Sequence, residues 1–546
     1  MNRRSFIGYS TMATAGACVD GSVARLSAQI ADASSGPAAS SIVQTTGGRI
    51  RGTVVNNVHT FKGVPYGATT AGTGRFLPPG RMQPWTGVRD AVALGPRAPQ
   101  IFGGEPPEVA ATDPREALGE DCLCLNVWTA NPGSGQRRPV MVWLHGGGFA
   151  SGSGGYSMYD GQELARKHGV VAISLNHRLN VFGFLYLAEL GGGKYARASN
   201  AGMLDIVAAL EWVRDNIAAF GGDPNNVTIF GQSGGAGKVS TLMAMPAAKA
   251  LFHRAIAQSG SAVRGASPAE ATKTAETVLM RLGFDRRHLD ELQKVPIDRL
   301  LAATQGTGPG GGLTLSPVVD GKTLPSHPFD PAAPALSTSV PFLTGTTATE
   351  VTFFANTQVD PIDDAAFRTR VKELLRVNDA QAEAVIAVYR KNRPKSDNID
   401  LFLRLSTDAS FFRQGVDTQA ERKAAAGNAP VYVYRYEWYS PVRDGKLKSY
   451  HTLEIPFVFD NIDGAPTMTG SGADRYALAD KMSRAWVAFA KTGNPNHPGL
   501  PDWRPFNVSE RPTMVFDNEC RLVNDPGAEE RKALVAARAA ATKPSA

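Results

Sequence analysis

The stretch Val227-Thr-Ile-Phe-Gly231-Gln-Ser233-Gly-Gly235 decides the fold of this chain. Its first four residues form a short apolar run, which is typical of a strand buried on both faces of a parallel sheet. The pattern Gly-x-Ser-x-Gly follows at once, and the next segment, Gly237 to Ala244, is compatible with a helix. In this context the pattern predicts a nucleophile elbow, a strand-to-helix turn so sharp that the serine backbone is strained. The alternative is a glycine-rich turn that has a structural role and no catalytic one.

Other apolar runs indicate that this strand has neighbours. Pro139–Leu144 and Val170–Leu175 are short runs of the same kind, and Met203–Phe220 between the second run and the elbow has apolar residues at helical spacing. Val431–Tyr436 is a later candidate strand. The alternation of strand and helix predicts an α/β fold with a central, mostly parallel, twisted sheet flanked by helices.

A run of glycines follows the strand Pro139–Leu144. His145-Gly-Gly-Gly148-Phe149 can turn main-chain N–H groups toward a ligand, because glycine tolerates conformations that other residues avoid. Beside a nucleophilic serine, such groups would donate to the oxyanion of a tetrahedral intermediate. The alternative is a loop whose glycines only permit close packing.

A serine hydroxyl is a weak nucleophile until a histidine accepts its proton, and a carboxylate must orient that histidine. The histidines well after Ser233 are His288, His327, His451 and His497. Position and context favour His451, which begins a semi-apolar segment shortly after the strand 431–436. A structural histidine is the alternative.

The candidate acid is Glu350, which follows the predicted strand Val340–Gly345. Sites in open α/β sheets form just past the carboxyl ends of strands. From spacing alone, a solvated surface glutamate is at least as good an interpretation.

Composition excludes several classes of protein. The 546 residues include 57 Lys and Arg and 50 Asp and Glu, a net charge of +7, without the dense basic run that nucleic-acid binding favours. No stretch of 18 apolar residues indicates a membrane span, so stable membrane insertion is not expected. The cysteines are Cys18, Cys122, Cys124 and Cys520, without zinc-ligand spacing. We expect no metal or cofactor.

The N-terminal residues are typical of a targeting signal rather than of a folded domain. Arg3-Arg-Ser-Phe-Ile7 and the small-residue stretch after it resemble a twin-arginine export signal, which we assign to residues 1–28. Residues 29–41 are rich in Ala and Ser and are interpreted as a tether. The protein is then expected to be exported, either periplasmic or secreted. A basic terminus without a signal, or a lipoprotein box at 15–18, are the alternatives.

Several longer segments resemble one known family. They are Phe220–Gly235 around the elbow, Glu120–Asn126, Asn200–Asp205, Gln258–Ser261 and Trp486–Asn496. They are similar to the type-B carboxylesterase and cholinesterase family of α/β-hydrolases, including its bacterial para-nitrobenzyl-type esterases. The resemblance runs from about residue 42 to about 520. It implies an α/β-hydrolase fold and a single catalytic domain at 42–546. The segments near 268–306 and 360–425 are charged and helix-forming without strand-like runs, so we interpret them as helical cap insertions.

The resemblance also implies roles for single residues. Ser233 would be the nucleophile, Glu350 the acid and His451 the base of a serine carboxylesterase that cleaves small-molecule esters through an acyl-enzyme. The implied oxyanion-hole donors are the N–H groups of Gly147, Gly148 and Gly234. A carbamate or amide hydrolase with the same triad is an alternative, as is a non-catalytic binding protein, because the family contains adhesion proteins that lack the nucleophile.

The departures from the family pattern concern the substrate pocket and one cysteine. Gln232 is neutral where cholinesterases have an acidic residue, and the loop Ile101–Glu120 has no tryptophan, so choline esters are poor candidates. Gly311 and Leu313 lie where cholinesterases have acyl-pocket aromatics, which indicates a roomy pocket. Cys122 occupies a half-disulfide position, but 95–100 offers no partner, so a buried free thiol is expected.

Overall fold

The strand that carries the elbow is the longest of a 13-stranded sheet in the computed structural model. The structure describes residues 39–305, 313, 315–355 and 358–541. Its strands are β1 Ala39–Gln44, β2 Arg49–Val55, β3 Val58–Pro65, β4 Val88–Asp90, β5 Cys124–Thr129, β6 Arg138–Leu144, β7 Val171–Leu175, β8 Gly222–Gln232, β9 Arg254–Gln258, β10 Phe342–Thr347, β11 Val431–Tyr436, β12 Pro512–Phe516 and β13 Arg521–Asn524. They are ordered β1-β2-β3-β5-β7-β6-β8-β9-β10-β11-β12-β13, and β4 pairs with β2.

The middle of the sheet is parallel and its borders are antiparallel. Every neighbouring pair from β7 to β12 is parallel. The pairs β2–β3, β3–β5, β5–β7 and β12–β13 are antiparallel. The predicted α/β class with a mostly parallel sheet is therefore confirmed. The carboxyl ends of β6, β8, β10 and β11 share one edge, which is where the candidate residues follow their strands.

Helices flank this sheet. They are α1 Pro107–Ala110, α2 Gln162–His168, α3 Asn180–Phe184, α4 Ala188–Gly191, α5 Ala201–Asn216, α6 Gly234–Leu242, α7 Pro268–Leu282, α8 Ile297–Ala303, α9 Thr352–Ala355, α10 Asp364–Leu375, α11 Asp379–Asn392, α12 Asn398–Asp408, α13 Phe411–Ala426, α14 Ile455–Val458, α15 Pro466–Thr469, α16 Asp474–Thr492 and α17 Ala528–Ala541. The two segments expected to be cap insertions contain α7 and α8, and α10 to α13, with no described strand in either.

Both faces of the sheet are buried, which explains the continuous apolar runs. Along β6, Val142 packs in one hydrophobic cluster while Trp143, on the opposite face, packs in another. Alternate residues of a strand point to opposite faces, so a strand covered on both sides needs apolar residues throughout. Burying one large apolar side chain contributes about 1.5–3 kcal/mol to folding.

Several predicted boundaries differ from the structure. Residues 39–41 of the expected tether belong to strand β1, so the folded domain begins before residue 42. Strand β8 begins at Gly222 rather than Val227, because a bulge between Arg138 and Val140 of β6 lets a polar segment join the ladder. A bulge accommodates extra residues without the apolar pattern on which the prediction depended. The helix predicted to reach Phe220 ends at Asn216 and continues as a 3-10 turn.

The described cysteines are reduced. Cys122 and Cys124 are buried free thiols, and Cys520 is a partly exposed one. Burial raises the pKa of Cys124 to about 12, which makes this thiol unreactive. The predicted export signal and Cys18 lie outside the described residues. Within the described ranges, no helix has the length and apolarity to cross a membrane, and no group of three or more metal-ligating side chains is present.

Candidate active site

Ser233 lies in a strained turn between β8 and α6. Its backbone has φ 57° and ψ −122°, a conformation that costs a non-glycine residue about 1–3 kcal/mol. Main-chain hydrogen bonds hold it there: the Ser233 N–H donates to Gln258 O over 2.8 Å, and the Gly237 N–H donates to Ser233 O over 3.1 Å. A Cβ on Gly235 would lie 2.0 Å from Leu144 O, so only glycine permits this close approach of β6 and α6.

The loop His145–Phe149 leaves β6 and contacts the elbow. Gly147 and Gly148 have φ values of 80° and 64°, in the region that favours glycine. A Cβ on Gly234 would lie 2.4 Å from Gly148 N. Main chain therefore packs directly on main chain between this loop and the first turn of α6, which brings the predicted oxyanion donors to one place.

Glu350 and His451 form a buried hydrogen-bonded pair. Glu350 follows β10, and its Oε2 accepts a hydrogen bond of 2.6 Å from His451 Nδ1. Its Oε1 accepts from the Thr347 N–H over 2.8 Å. Glu350 is fully buried, and His451 is 2% exposed. A proton on Nδ1 leaves the lone pair on Nε2, which is the tautomer that a general base requires.

Gln232, the residue before Ser233, connects the elbow to this pair. Its amide Nε2 lies 3.2 Å from His451 Nε2 and 3.3 Å from Nδ1. Ser233 is half-buried, and its hydroxyl forms no hydrogen bond with any described residue. In unliganded active sites such bonds are often long and tighten only when substrate binds.

The other candidate histidines have other partners. His288 is hydrogen-bonded to Asp285, His327 accepts from the Gly265 N–H, and His497 contacts the carbonyls of Pro498 and Lys481. His451 is therefore the one of the four that meets Glu350.

A second carboxyl group, Glu454, lies beside the pair. It is fully buried, accepts one hydrogen bond of 3.1 Å from Ser259 Oγ, and its Oε2 has no partner among the described residues. Burial, followed by the charge of Glu350, raises the pKa of Glu454 to about 8. Sequence reasoning assigned it no role, although an acidic residue three positions after His451 was a visible signal.

Phenylalanine rings form a wall around the imidazole. The ring centroids of Phe353, Phe354 and Phe412 lie 5.5, 5.6 and 4.7 Å from that of His451. Phe411 extends this aromatic wall at 4.1 Å from Phe412 and is largely exposed. Sequence reasoning missed all four rings, and the signal was a Phe-Phe pair three residues after Glu350 and another at the start of α13.

The three predicted pocket residues have different outcomes. Gln232 is buried against His451, as described above. Leu313 is half-buried. Gly311 lies outside the described residues.

A cavity of about 450 Å³ opens beside Ser151, next to the glycine loop. The guanidinium of Arg97 lies 4.5 Å from the ring centroid of Phe102 and pairs with Asp113 at 2.9 Å. Arg97 therefore covers one face of Phe102 in the wall of this cavity. The expectation that choline esters are poor candidates stays a prediction.

The chain is similar to known proteins over most of its length. A model of the carboxylesterase family matches residues 39–534. A para-nitrobenzyl esterase of Bacillus subtilis (strain 168) is 37% identical over 504 residues, which cover 90% of this chain and 98% of that protein. A phenmedipham hydrolase of Pseudarthrobacter oxydans is 36% identical over 494 residues, covering 88% and 95%.

The likeness extends to three dimensions. The crystal structure of a carboxylesterase of Geobacillus stearothermophilus is similar with a TM-score of 0.77 and 37% identity, covering 90% of this chain and 99% of that one. The resemblance and the α/β-hydrolase fold predicted from the sequence are confirmed. The chain belongs to the carboxylesterase family.

Proposed function

We propose that Ser233, His451 and Glu350 form the catalytic triad of this carboxylic ester hydrolase. Family membership makes the chain a serine hydrolase of carboxylic esters. The observation that carries the residue assignment is the 2.6 Å hydrogen bond between His451 Nδ1 and Glu350 Oε2, buried beside a strained serine. Such a bond fixes the tautomer of the imidazole and stabilises the imidazolium that forms during reaction.

In the proposed reaction, Ser233 Oγ attacks the ester carbonyl carbon while His451 Nε2 accepts the hydroxyl proton. The carbonyl oxygen becomes an oxyanion, to which the N–H groups of Gly147, Gly148 and Gly234 donate. The C–O bond to the alcohol then breaks, and His451 returns the proton to the leaving alcohol. Water, deprotonated by His451, then attacks the acyl carbon. The bond from that carbon to Ser233 Oγ breaks, Oγ takes the proton back from His451, and the acid leaves.

The surroundings of the triad favour neutral substrates with apolar groups. The aromatic wall of Phe353, Phe354, Phe411 and Phe412 offers ring faces to an acyl or alcohol group. Gln232 adds no negative charge of its own to attract a cation. A panel of uncharged esters, in which the acyl and alcohol groups vary in size separately, tests which of the two groups the enzyme selects. Matched carbamates and anilides test which type of bond it cleaves.

Replacing the nucleophile tests the assignment most directly. Ser233→Ala should lower kcat by at least about 10⁴-fold, because the residual catalysis of triad enzymes comes from binding and the oxyanion hole alone. A fluorophosphonate probe should label the wild type and not the variant. The matched control is Ser509→Ala, which changes an exposed serine that contacts Asn507. More than a few per cent of wild-type activity in Ser233→Ala would refute the proposal.

We propose that residues 1–28 direct export through the twin-arginine pathway. The support is the sequence Arg3-Arg-Ser-Phe-Ile7 and the small-residue stretch after it. Replacing Arg3 and Arg4 with lysine should retain the enzyme in the cytoplasm, as measured by fractionation of the producing bacterium. Unchanged export of the double variant would contradict this proposal without affecting the catalytic one.

A further inference from the structure

A lysine side chain is buried directly behind the elbow. Lys238 lies in the second turn of α6, five residues after Ser233, and is 0% exposed. Its Nζ donates one hydrogen bond of 2.8 Å, to the main-chain oxygen of His145. Among the described residues it forms no ion pair. Lysine is rarely buried without a carboxylate partner, so this one calls for an explanation.

The groups around the amine are basic rather than acidic. The imidazoles of His145 and His177 stack with centroids 5.0 Å apart, and burial followed by the charge of Lys238 holds both pKa values well below the usual range. The nearby Arg178 is already paired with Asp205 at 2.6 Å. Burial without a compensating anion lowers the pKa of Lys238 to about 7, so much of the lysine is a neutral amine at neutral pH.

The position of the amine relates it to the glycine loop. His145, whose oxygen it binds, is the first residue of that loop, immediately before the three glycines. Phe149, the last residue, has its ring centroid 5.9 Å from Lys238 Nζ. The amine thus lies against both ends of the loop, while Gly148 packs on Gly234 between them.

We propose that Lys238 is a positioning residue that fastens the loop His145–Phe149 to helix α6, so that the N–H groups of Gly147 and Gly148 stay aimed at the oxyanion. Glycine-rich main chain is intrinsically mobile, and oxyanion stabilisation depends on donors that are fixed before the reaction. A side-chain hydrogen bond to the start of the loop supplies this constraint. The inference depends on the proposed function, because it assigns the loop to the oxyanion hole.

The test compares two buried lysines. Lys423, in α13, is also buried, has its pKa lowered to about 8, and donates to the main-chain oxygens of Ser337 and Thr338. Lys238→Met and Lys423→Met each replace a buried amine with the same unbranched apolar side chain. Only the first removes a contact to the glycine loop.

We expect Lys238→Met to lower kcat by about tenfold or more and to leave KM within about twofold, because the contact acts on the transition state. The rate of labelling by a fluorophosphonate should fall by a similar factor. Lys423→Met should keep kcat within about twofold. Circular dichroism and Tm check folding, and Lys238→Ala is measured beside the Met variant in case the latter folds poorly.

The outcomes separate this inference from the proposed function. If the Lys238 variants are folded and keep wild-type kcat, or change KM alone, the positioning role is wrong while the triad stands. An equal loss of kcat in Lys423→Met would also overturn it, because the effect would then follow any buried lysine. If the wild type is not labelled, or Ser233→Ala stays active, the proposed function itself fails.

Discussion

Two fully buried carboxyl groups, Glu350 and Glu454, lie close enough for the charge of one to act on the other, and they differ in the donors they receive. Glu350 accepts hydrogen bonds from an imidazole N–H and from a main-chain N–H. Glu454 accepts one from the Ser259 hydroxyl, and its second oxygen has none among the described residues. Donors stabilise the charged form of a carboxyl group, whereas burial without them favours the neutral form. We therefore expect the hydrogen bonds that each acid accepts to set its role.

Among substitutions of the two acids, Glu350→Gln should have the larger effect. The amide cannot stabilise an imidazolium and can hold the wrong tautomer, so kcat should fall by about 10³–10⁴-fold. Steady-state kinetics on a p-nitrophenyl ester measure this, with circular dichroism as the check on folding. A loss below tenfold would show that the pair with His451 is not the catalytic one.

Glu454→Gln should have a much smaller effect on rate. With its pKa raised to about 8, Glu454 is mostly protonated at pH 7, and a neutral amide resembles a neutral carboxyl group in shape and charge. We expect kcat at pH 7 to change less than tenfold in the same assay. If the two glutamine variants lose equal activity, the contrast between the acids is wrong.

The same variant should change the pH dependence of stability. A carboxyl group whose pKa is raised on folding adds stability below its unfolded pKa, near 4.5, and this stability is lost as the pH rises through about 8. Glutamine does not titrate. Between pH 5 and pH 8.5, the Tm of Glu454→Gln should therefore fall by a few °C less than that of the wild type. Parallel curves for the two proteins would contradict the raised pKa.

Adding a third carboxylate should give the smallest change. Gln232→Glu places a negative charge where an amide now lies 3.2 Å from the imidazole. The charge stabilises the imidazolium, so the acid limb of the pH–rate profile should move to higher pH by about one unit or less. An unmoved acid limb would show that residue 232 is electrostatically remote from the base. Gln232→Leu, which adds no charge, is the matched control.

Sequence patterns predicted those parts of the site that depend on local order. The apolar run Val227–Phe230 and the glycines around Ser233 specify a strand, a turn and a helix within a dozen residues, and the structure has all three. For Glu350, sequence spacing could not distinguish a catalytic acid from a surface glutamate. The distance between Glu350 and His451 is fixed only in the folded protein, where β10 and the chain after β11 end at the same edge of the sheet.

The parts that were missed depend on long-range packing. The rings of Phe353 and Phe412 meet at His451 although they lie on different helices, α9 and α13. The spacing of apolar residues within either helix does not predict this contact. The burial of Lys238 could not be predicted from the sequence either, because a lysine in a helix normally lies on the solvent-exposed face. Lys238 is buried because the loop after β6 covers it.

The contact between Gly148 and Gly234 implies that the oxyanion side of the site and the aromatic wall tolerate mutation to different degrees. A side chain at Gly234 would force the loop and the helix apart, and Gly148 has a φ of 64° that other residues rarely adopt, so substitutions at both glycines are expected to be poorly tolerated. The aromatic wall is under no such restriction, since its rings are supplied by two helices that carry no reacting atoms. A laboratory programme seeking new substrates should therefore randomise Phe353, Phe354, Phe411 and Phe412, and leave the glycines untouched.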